Sequence, residues 1–155
     1  MKTFCIKIIA VLLLLFNNSQ LQAQSDLTVT QLINALKSNN HYEALMKARK
    51  VDSVNYTDEY NRTILMYAAE RGYGRVCRTL IDRGADPDLR EIEGTTAIMF
   101  AAYNGHENVV NLLLKKGSEA DFKQNDGFTS LMEASQNGYM GIVKSLIDKG
   151  ADPNH

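Results

Sequence analysis

Apolar and polar positions along residues 61–154 recur with a period of 33. Leu65, Ile98 and Leu131 share one phase, as do Ala68, Ala101 and Ala134; Val76, Val109 and Ile142; and Leu80, Leu113 and Leu146. Within the first unit the apolar positions 65, 66, 68 and 69 have the spacing of one buried helical stripe, and Val76, Cys77, Leu80 and Ile81 form a second. Polar and small residues punctuate the pattern at the same period. Thr63, Thr96 and Thr129 stand where a helix N-cap is needed, and Gly72, Gly105 and Gly138 where the first helix must end. Gly84, Gly117 and Gly150 close the second helix, predicted over residues 74–83 in the first unit. Asp86-Pro87 then opens an extended turn toward the next unit. A fixed period of this length predicts stacked helix-turn-helix units, each unable to bury its apolar face alone.

These residues resemble the ankyrin repeat. Its Thr-Pro-Leu-His-x-Ala-Ala stretch is matched by Thr63-Ile-Leu-Met-Tyr-Ala-Ala69, Thr96-Ala-Ile-Met-Phe-Ala-Ala102 and Thr129-Ser-Leu-Met-Glu-Ala-Ser135. Gly105-His106 matches the opening of its second helix, and Gly84-Ala-Asp86 and Gly150-Ala-Asp152 match its ending. The pattern departs from the family in lacking Pro after each Thr and in placing Met66, Met99 and Met132 where the family has His, a side chain that helps tie the turns together. The second repeat ends Gly117-Ser-Glu-Ala-Asp121, so a different turn is expected there. The resemblance implies an all-α solenoid of helix-turn-helix units joined by β-turn fingers, with repeats at 58–90, 91–123 and 124–155.

Shifting the pattern upstream by one period aligns Thr30, Leu32 and Ala35 with Thr63, Leu65 and Ala68. Asn39 replaces the first glycine, Asn being the next-best left-handed residue, and Val51 replaces the second. Tyr42, Leu45, Met46 and Ala48 then form the expected apolar set of a second helix. Residues 27–56 therefore read as a degenerate N-terminal cap repeat, since end units of an array are atypical. At the other end Glu133 replaces Tyr67 and Phe100, and Ser135 replaces Ala69 and Ala102, polar changes that suit a terminal face; a truncated array with an exposed apolar edge is the rival reading.

The first residues follow another pattern. Lys2 and Lys7 supply positive charge, Ile8–Phe16 is an apolar run of nine, and Leu21-Gln22-Ala23 ends in a small residue. That order describes a secretory signal peptide spanning 1–23, with 24–155 as the repeat domain and an exported, periplasmic or secreted product. A retained signal anchor is the competing reading, although the run is well short of the roughly 20 residues a spanning helix needs. Cleavage removes two of 17 basic residues, leaving 15 against 18 acidic, a net charge of −3. This mild acidity argues against a nucleic-acid surface. Of the two cysteines only Cys77 remains, so no internal disulfide forms and the fold rests on packing.

No catalytic or metal constellation emerges. Cys77 aligns with Val110 and Val143 and is expected to be a buried, inert thiol. His106 sits where the repeat pattern wants His. Asp82, Asp86, Asp88, Glu91 and Glu93 crowd one turn but lack the ligand order of a calcium loop, and are read as solvated. Asn55-Tyr-Thr57 and Asn61-Arg-Thr63 are glycosylation sequons, the second using the capping threonine. No enzyme activity and no cofactor are expected.

The resemblance implies that partners touch the finger tips and the exposed end of each first helix. By position these are Tyr60, Arg62, Glu70 and Arg71; Ile92, Glu93, Tyr103 and Asn104; and Phe128 and Gln136, with Glu59, Thr95, Asn125, Asp126 and Asn137 beside them. Tyr60, Ile92, Tyr103 and Phe128 are apolar where the repeat does not require it, which suits an interface. The expectation is a monomeric interaction module that binds an unidentified protein, with neither nucleic acid nor, after signal removal, a membrane as partner. An inhibitor or protective partner of an exported enzyme is the alternative.

Overall fold

The computed structural model describes residues 2–154; for residues 2–16, Asn18 and Leu21 it describes the backbone alone. Met1, His155 and the expectations resting on the side chains of Lys2, Lys7 and Ile8–Phe16 therefore lie outside the described residues. Among the described residues there are eight helices: α1 Lys2–Lys37, α2 His41–Ala48, α3 Ile64–Glu70, α4 Gly74–Asp82, α5 Ala97–Tyr103, α6 Glu107–Lys115, α7 Ser130–Gln136 and α8 Met140–Ile147. The odd-numbered helices pack on one another in order, as do the even-numbered ones, so the chain is a two-layered stack of helical hairpins. None of the described helices is long and apolar enough to cross a membrane.

The period places the core where expected. Leu65, Ile98, Val76, Val109, Ile142, Leu80, Leu113 and Leu146 are buried, and the four small residues Ala68, Ala69, Ala101 and Ala102 let α3 and α5 approach closely. Cys77 is fully buried, and burial pushes its thiol up to about 12. It belongs to the packing.

The three capping threonines are not equivalent. Thr63 Oγ1 accepts from the Met66 backbone N–H at 3.2 Å, and Thr129 Oγ1 accepts from that of Met132 at 3.2 Å. Thr96 makes no such bond, and its hydroxyl is buried without a hydrogen-bond partner among the described residues. Thr129→Ala should therefore cost about 1 kcal/mol as a lost cap, whereas Thr96→Val should be neutral or stabilising by up to ~1 kcal/mol, because it removes an unsatisfied hydroxyl. Urea unfolding of the two variants checks the contrast. Met66 also corrects an expectation. The Thr63 backbone N–H donates to its thioether sulfur at 3.3 Å, so the residue standing in for His still ties the turn.

Two periodic devices join neighbouring repeats. Rings at 73, 106 and 139 reach back one repeat: the Tyr73 hydroxyl meets Asn39 Oδ1 at 2.5 Å, His106 Nε2 meets the Glu70 carbonyl at 3.0 Å, and Tyr139 packs over Gly105. Asn39 has the left-handed φ of +61° expected of it. In the second device, side-chain oxygens of Asn55, Asp88 and Asp121 accept from the backbone N–H groups of Asp86, Glu119 and Asp152. Asp88, expected to face only water, is thus part of the stacking. Asp121 does the same in the divergent turn after Gly117, which keeps the bond of its neighbours.

The upstream unit departs from expectation in two respects. Helix α1 runs unbroken through Ala23, Leu27 and Thr30, so Thr30 is no cap; its hydroxyl donates to the Asp26 carbonyl within the helix at 2.9 Å. The cause is local: residues 20–29 contain neither Gly nor Pro, and nothing stops the helix from propagating upstream. In α2 the buried residues are Ala44 and Ala48, while Tyr42 is 76% exposed and Leu45 and Met46 are only partly covered. Close packing of α2 on α1 selects the small residues instead of the large ones. Val51, in the place of the second glycine, is fully buried.

Candidate functional site

Between successive repeats the chain leaves the helical layers in short fingers. In the first, Asp58 N–H donates to the Arg62 carbonyl, and Asp58 Oδ1 accepts from the backbone N–H groups of Tyr60 and Arg62 at 3.0 and 2.9 Å. Glu91 repeats the arrangement by accepting from Thr95 N–H at 2.9 Å. The fingers bond to each other: Ile92 N–H donates to the Tyr60 carbonyl and Asn125 N–H to that of Glu93. A row of fingers is thereby held at a fixed angle to α1, α3 and α5.

Two adjoining hollows fill that angle, of about 450 and 540 Å³, and both are lined by Tyr60 and Tyr67. The first is closed by Asn34 and Lys37 of α1 and by Asp58 and Glu59. The second is closed by Arg62, Phe100, Glu91, Glu93 and Asp126. Its floor is aromatic. The Arg62 guanidinium lies 4.4 Å from the Tyr67 ring centre and 4.5 Å from that of Phe100, and pairs with Glu70 at 2.9 Å. The Lys37 ammonium stands 5.0 Å from the same Tyr67 ring.

The Tyr67 hydroxyl donates to Asp58 Oδ2 at 2.6 Å. Burial and this bond to a carboxylate push the phenol up to about 12. Burial works against the Asp58 carboxylate, but the Tyr67 hydroxyl and the two backbone N–H groups outweigh it and hold Asp58 below its ordinary value. A carboxylate with a depressed folded-state pKa contributes stability that is present above its unfolded pKa and lost as pH falls through the folded one. Acid titration should therefore remove part of the stability of the native chain below about pH 4, and Asp58→Asn should make stability in that range less dependent on pH. Chemical unfolding between pH 7 and 3 measures both.

The hollow is acidic. Asp58, Glu59, Glu91, Glu93 and Asp126 line it against two cations, Lys37 and Arg62, and Arg62 is already neutralised by Glu70. Glu59 and Glu93 are exposed, and their carboxylates have no hydrogen-bond or ion-pair partner among the described residues. Burial, and then the charge of Asp126, raise the carboxyl of neighbouring Glu133.

Of the residues expected to touch a partner, Tyr60, Arg62 and Glu93 line this groove together, with Glu59, Thr95 and Asp126. Tyr60 is 57% exposed. Arg62 lines the wall and is paired with Glu70, which lines neither hollow. Ile92 and Tyr103 are exposed, at a finger and at the end of α5, but line neither hollow. Phe128 is half-buried in the last finger, where its carbonyl accepts from Gln124 N–H. Arg71, Asn104 and Gln136 are exposed at the ends of their helices. Gln136 instead borders a separate hollow at the far end of the stack, with Leu131, Met132, Val143 and Ile147. Sequence reasoning missed Tyr67 and Phe100. The available signal was a pair of large aromatics at one phase of the repeat, five residues before the glycines predicted to end the helices.

The family described as "Ankyrin repeats (3 copies)" matches the chain over residues 5–91 and 86–155. No curated protein matches it.

Proposed function

Since the chain belongs to the ankyrin-repeat family, whose members are generally protein–protein interaction modules, we propose that it binds a partner protein in the groove between its fingers and first helices, through a segment that carries lysine or arginine. The observation that supports this most is the pairing of an exposed aromatic, Tyr60, with carboxylates that the fold leaves unpaired, Glu59 and Glu93. A cationic side chain entering there would meet an aromatic face and carboxylates at once. The fingers are bonded to one another before any partner arrives, so little ordering cost falls on this side of the interface. Tyr60 is the anchor; Ile92 and Tyr103 would extend the contact beyond the hollows.

The binding takes place outside the cytosol in this reading, after cleavage that leaves Gln24 as the first residue. The charged and apolar amino-terminal pattern supports it. Protein recovered from the envelope or culture fluid should then have the intact mass of residues 24–155; a full-length mass in the cytosolic fraction would overturn export.

The binding reading is tested by affinity capture from that same fluid with the native chain and with a Tyr60→Ala, Glu59→Gln, Glu93→Gln variant. All three side chains are exposed, so the variant should unfold at the same urea concentration as the native chain. It should lose at least tenfold in affinity for the captured protein, with the remaining binding weakened less by salt. Equal capture by the folded variant would remove the groove from the interface.

A further inference from the structure

A further hollow, in the layer of second helices and away from the fingers, has the opposite electrostatic character. It measures about 340 Å³ and is walled by His41 of α2, Gly74, Arg75 and Arg78 of α4, and Asn108 of α6. Arg75 and Arg78 are one helical step of three apart, so both guanidiniums rise from one face. Among the described residues no carboxylate lines the hollow. Glu70 pairs with Arg62 and Asp82 pairs with Lys116, and the Glu107 carboxylate lies against Gly141 of α8.

Three other arginines, Arg62, Arg83 and Arg90, are held by the chain's own acceptors. Arg83 donates to the Arg49 and Val51 carbonyls, and Arg90 to those of Gly94 and Lys123. The side chains of Arg75, Arg78 and Asn108 have no such partner among the described residues. The hollow therefore gathers two guanidiniums, an amide and an imidazole from three helices, an arrangement rich in donors in a chain with more acidic than basic residues. Gly74 keeps it open: a Cβ there would stand 3.1 Å from the Asn108 amide nitrogen. Helix α4 also begins with neither a side-chain cap nor an acidic residue in its first turn.

We propose that this hollow binds a phosphate-type dianion. Two guanidinium forks can take parallel pairs of phosphoryl oxygens, which a single ammonium cannot do. The Asn108 amide supplies a further donor from the facing helix. The volume leaves room beside a phosphoryl group for the moiety that carries it. The site is separate from the finger groove and stands or falls independently of it.

The test is a titration of the ¹⁵N-labelled chain with inorganic phosphate at constant ionic strength, with chloride as the matched control. Phosphate should produce saturable shifts centred on Gly74, Arg75, Arg78 and Asn108, and chloride should not. Arg75→Gln with Arg78→Gln should weaken binding at least tenfold while leaving the unfolding midpoint unchanged, since both side chains are exposed. A parallel titration with O-phosphoserine separates the free ion from an ester: tighter binding than phosphate supports an ester-bearing occupant, and weaker binding supports the free ion. Shifts that do not saturate, equal shifts from chloride, or undiminished binding by the double variant would overturn the site.

Discussion

Gly72→Ala is expected to destabilise the protein by about 3 kcal/mol, from left-handed strain together with a broken contact between repeats. Gly72 has a φ of +72°, and a Cβ built there falls 2.6 Å from His106 Nδ1 and 2.9 Å from Cγ of the same ring. The left-handed conformation costs an alanine roughly 1–2 kcal/mol. The ring must also move, and its bond to the Glu70 carbonyl contributes about 1 kcal/mol more. Gly138 separates the two causes. Its φ is +73°, but no atom lies within 4 Å of the added Cβ, so Gly138→Ala should show the backbone cost alone. In a His106→Ala background Gly72→Ala should likewise fall to the backbone cost. Urea unfolding of the double-mutant cycle measures the coupling. Equal effects at 72 and 138 would mean that the ring contact does not hold the repeats together.

Leu113→Ala should cost about 3 kcal/mol, within the range of large-to-small changes in packed cores. Leu113 is fully buried in α6, between α4 and α8. Neighbours on both sides hold the cavity open, so little of the loss is recovered by collapse. Leu146 occupies the same phase in α8 and is equally buried, but among the described residues no further helix packs beyond it. Leu146→Ala should therefore cost less. Against a total stability of about 5–15 kcal/mol for a domain of this kind, either loss is a large fraction. Because stability in such stacks is close to a sum of repeat and interface contributions, Leu113→Ala should also broaden the transition by uncoupling the two ends.

How far these effects could be read beforehand differs by residue. The apolar phases at 65, 76, 80 and their counterparts were legible because burial at helical spacing repeats without interruption. Gly72 was legible as a helix end, but its role as the seat of a ring was not. That role depends on residues 73, 106 and 139 being one phase, and only His106 fits the family pattern by identity. Local competition explains the misses. Thr63 and Thr96 occupy the same position of the repeat, yet only one hydroxyl finds its N–H. Helix α1 overruns Thr30 because no residue before it breaks a helix. Tyr42 was expected inside and lies outside, because the space between α1 and α2 suits alanines.

The candidate site was legible by position and obscure in its chemistry. Finger tips and first helices could be assigned from the period, which brought Tyr60 and Glu93 to the right face. The division of charges among the groove residues is a three-dimensional matter. Arg62 is consumed by Glu70, Tyr67 and Phe100, and Asp58 by its own finger and the Tyr67 hydroxyl, which leaves Glu59 and Glu93 open. No spacing rule distinguishes a carboxylate that braces a turn from one that awaits a partner.

The most direct measurement is site-specific photo-crosslinking. A benzophenone side chain at position 60 lies in the groove; one at position 144 lies on exposed α8 in the second-helix layer. Both labelled chains are exposed to native envelope or culture fluid, irradiated and resolved by mass spectrometry. The prediction is a single covalent partner from position 60, joined within a segment containing lysine or arginine, and none from position 144. A partner joined at position 144 and absent at position 60 would contradict the assignment of function to the groove.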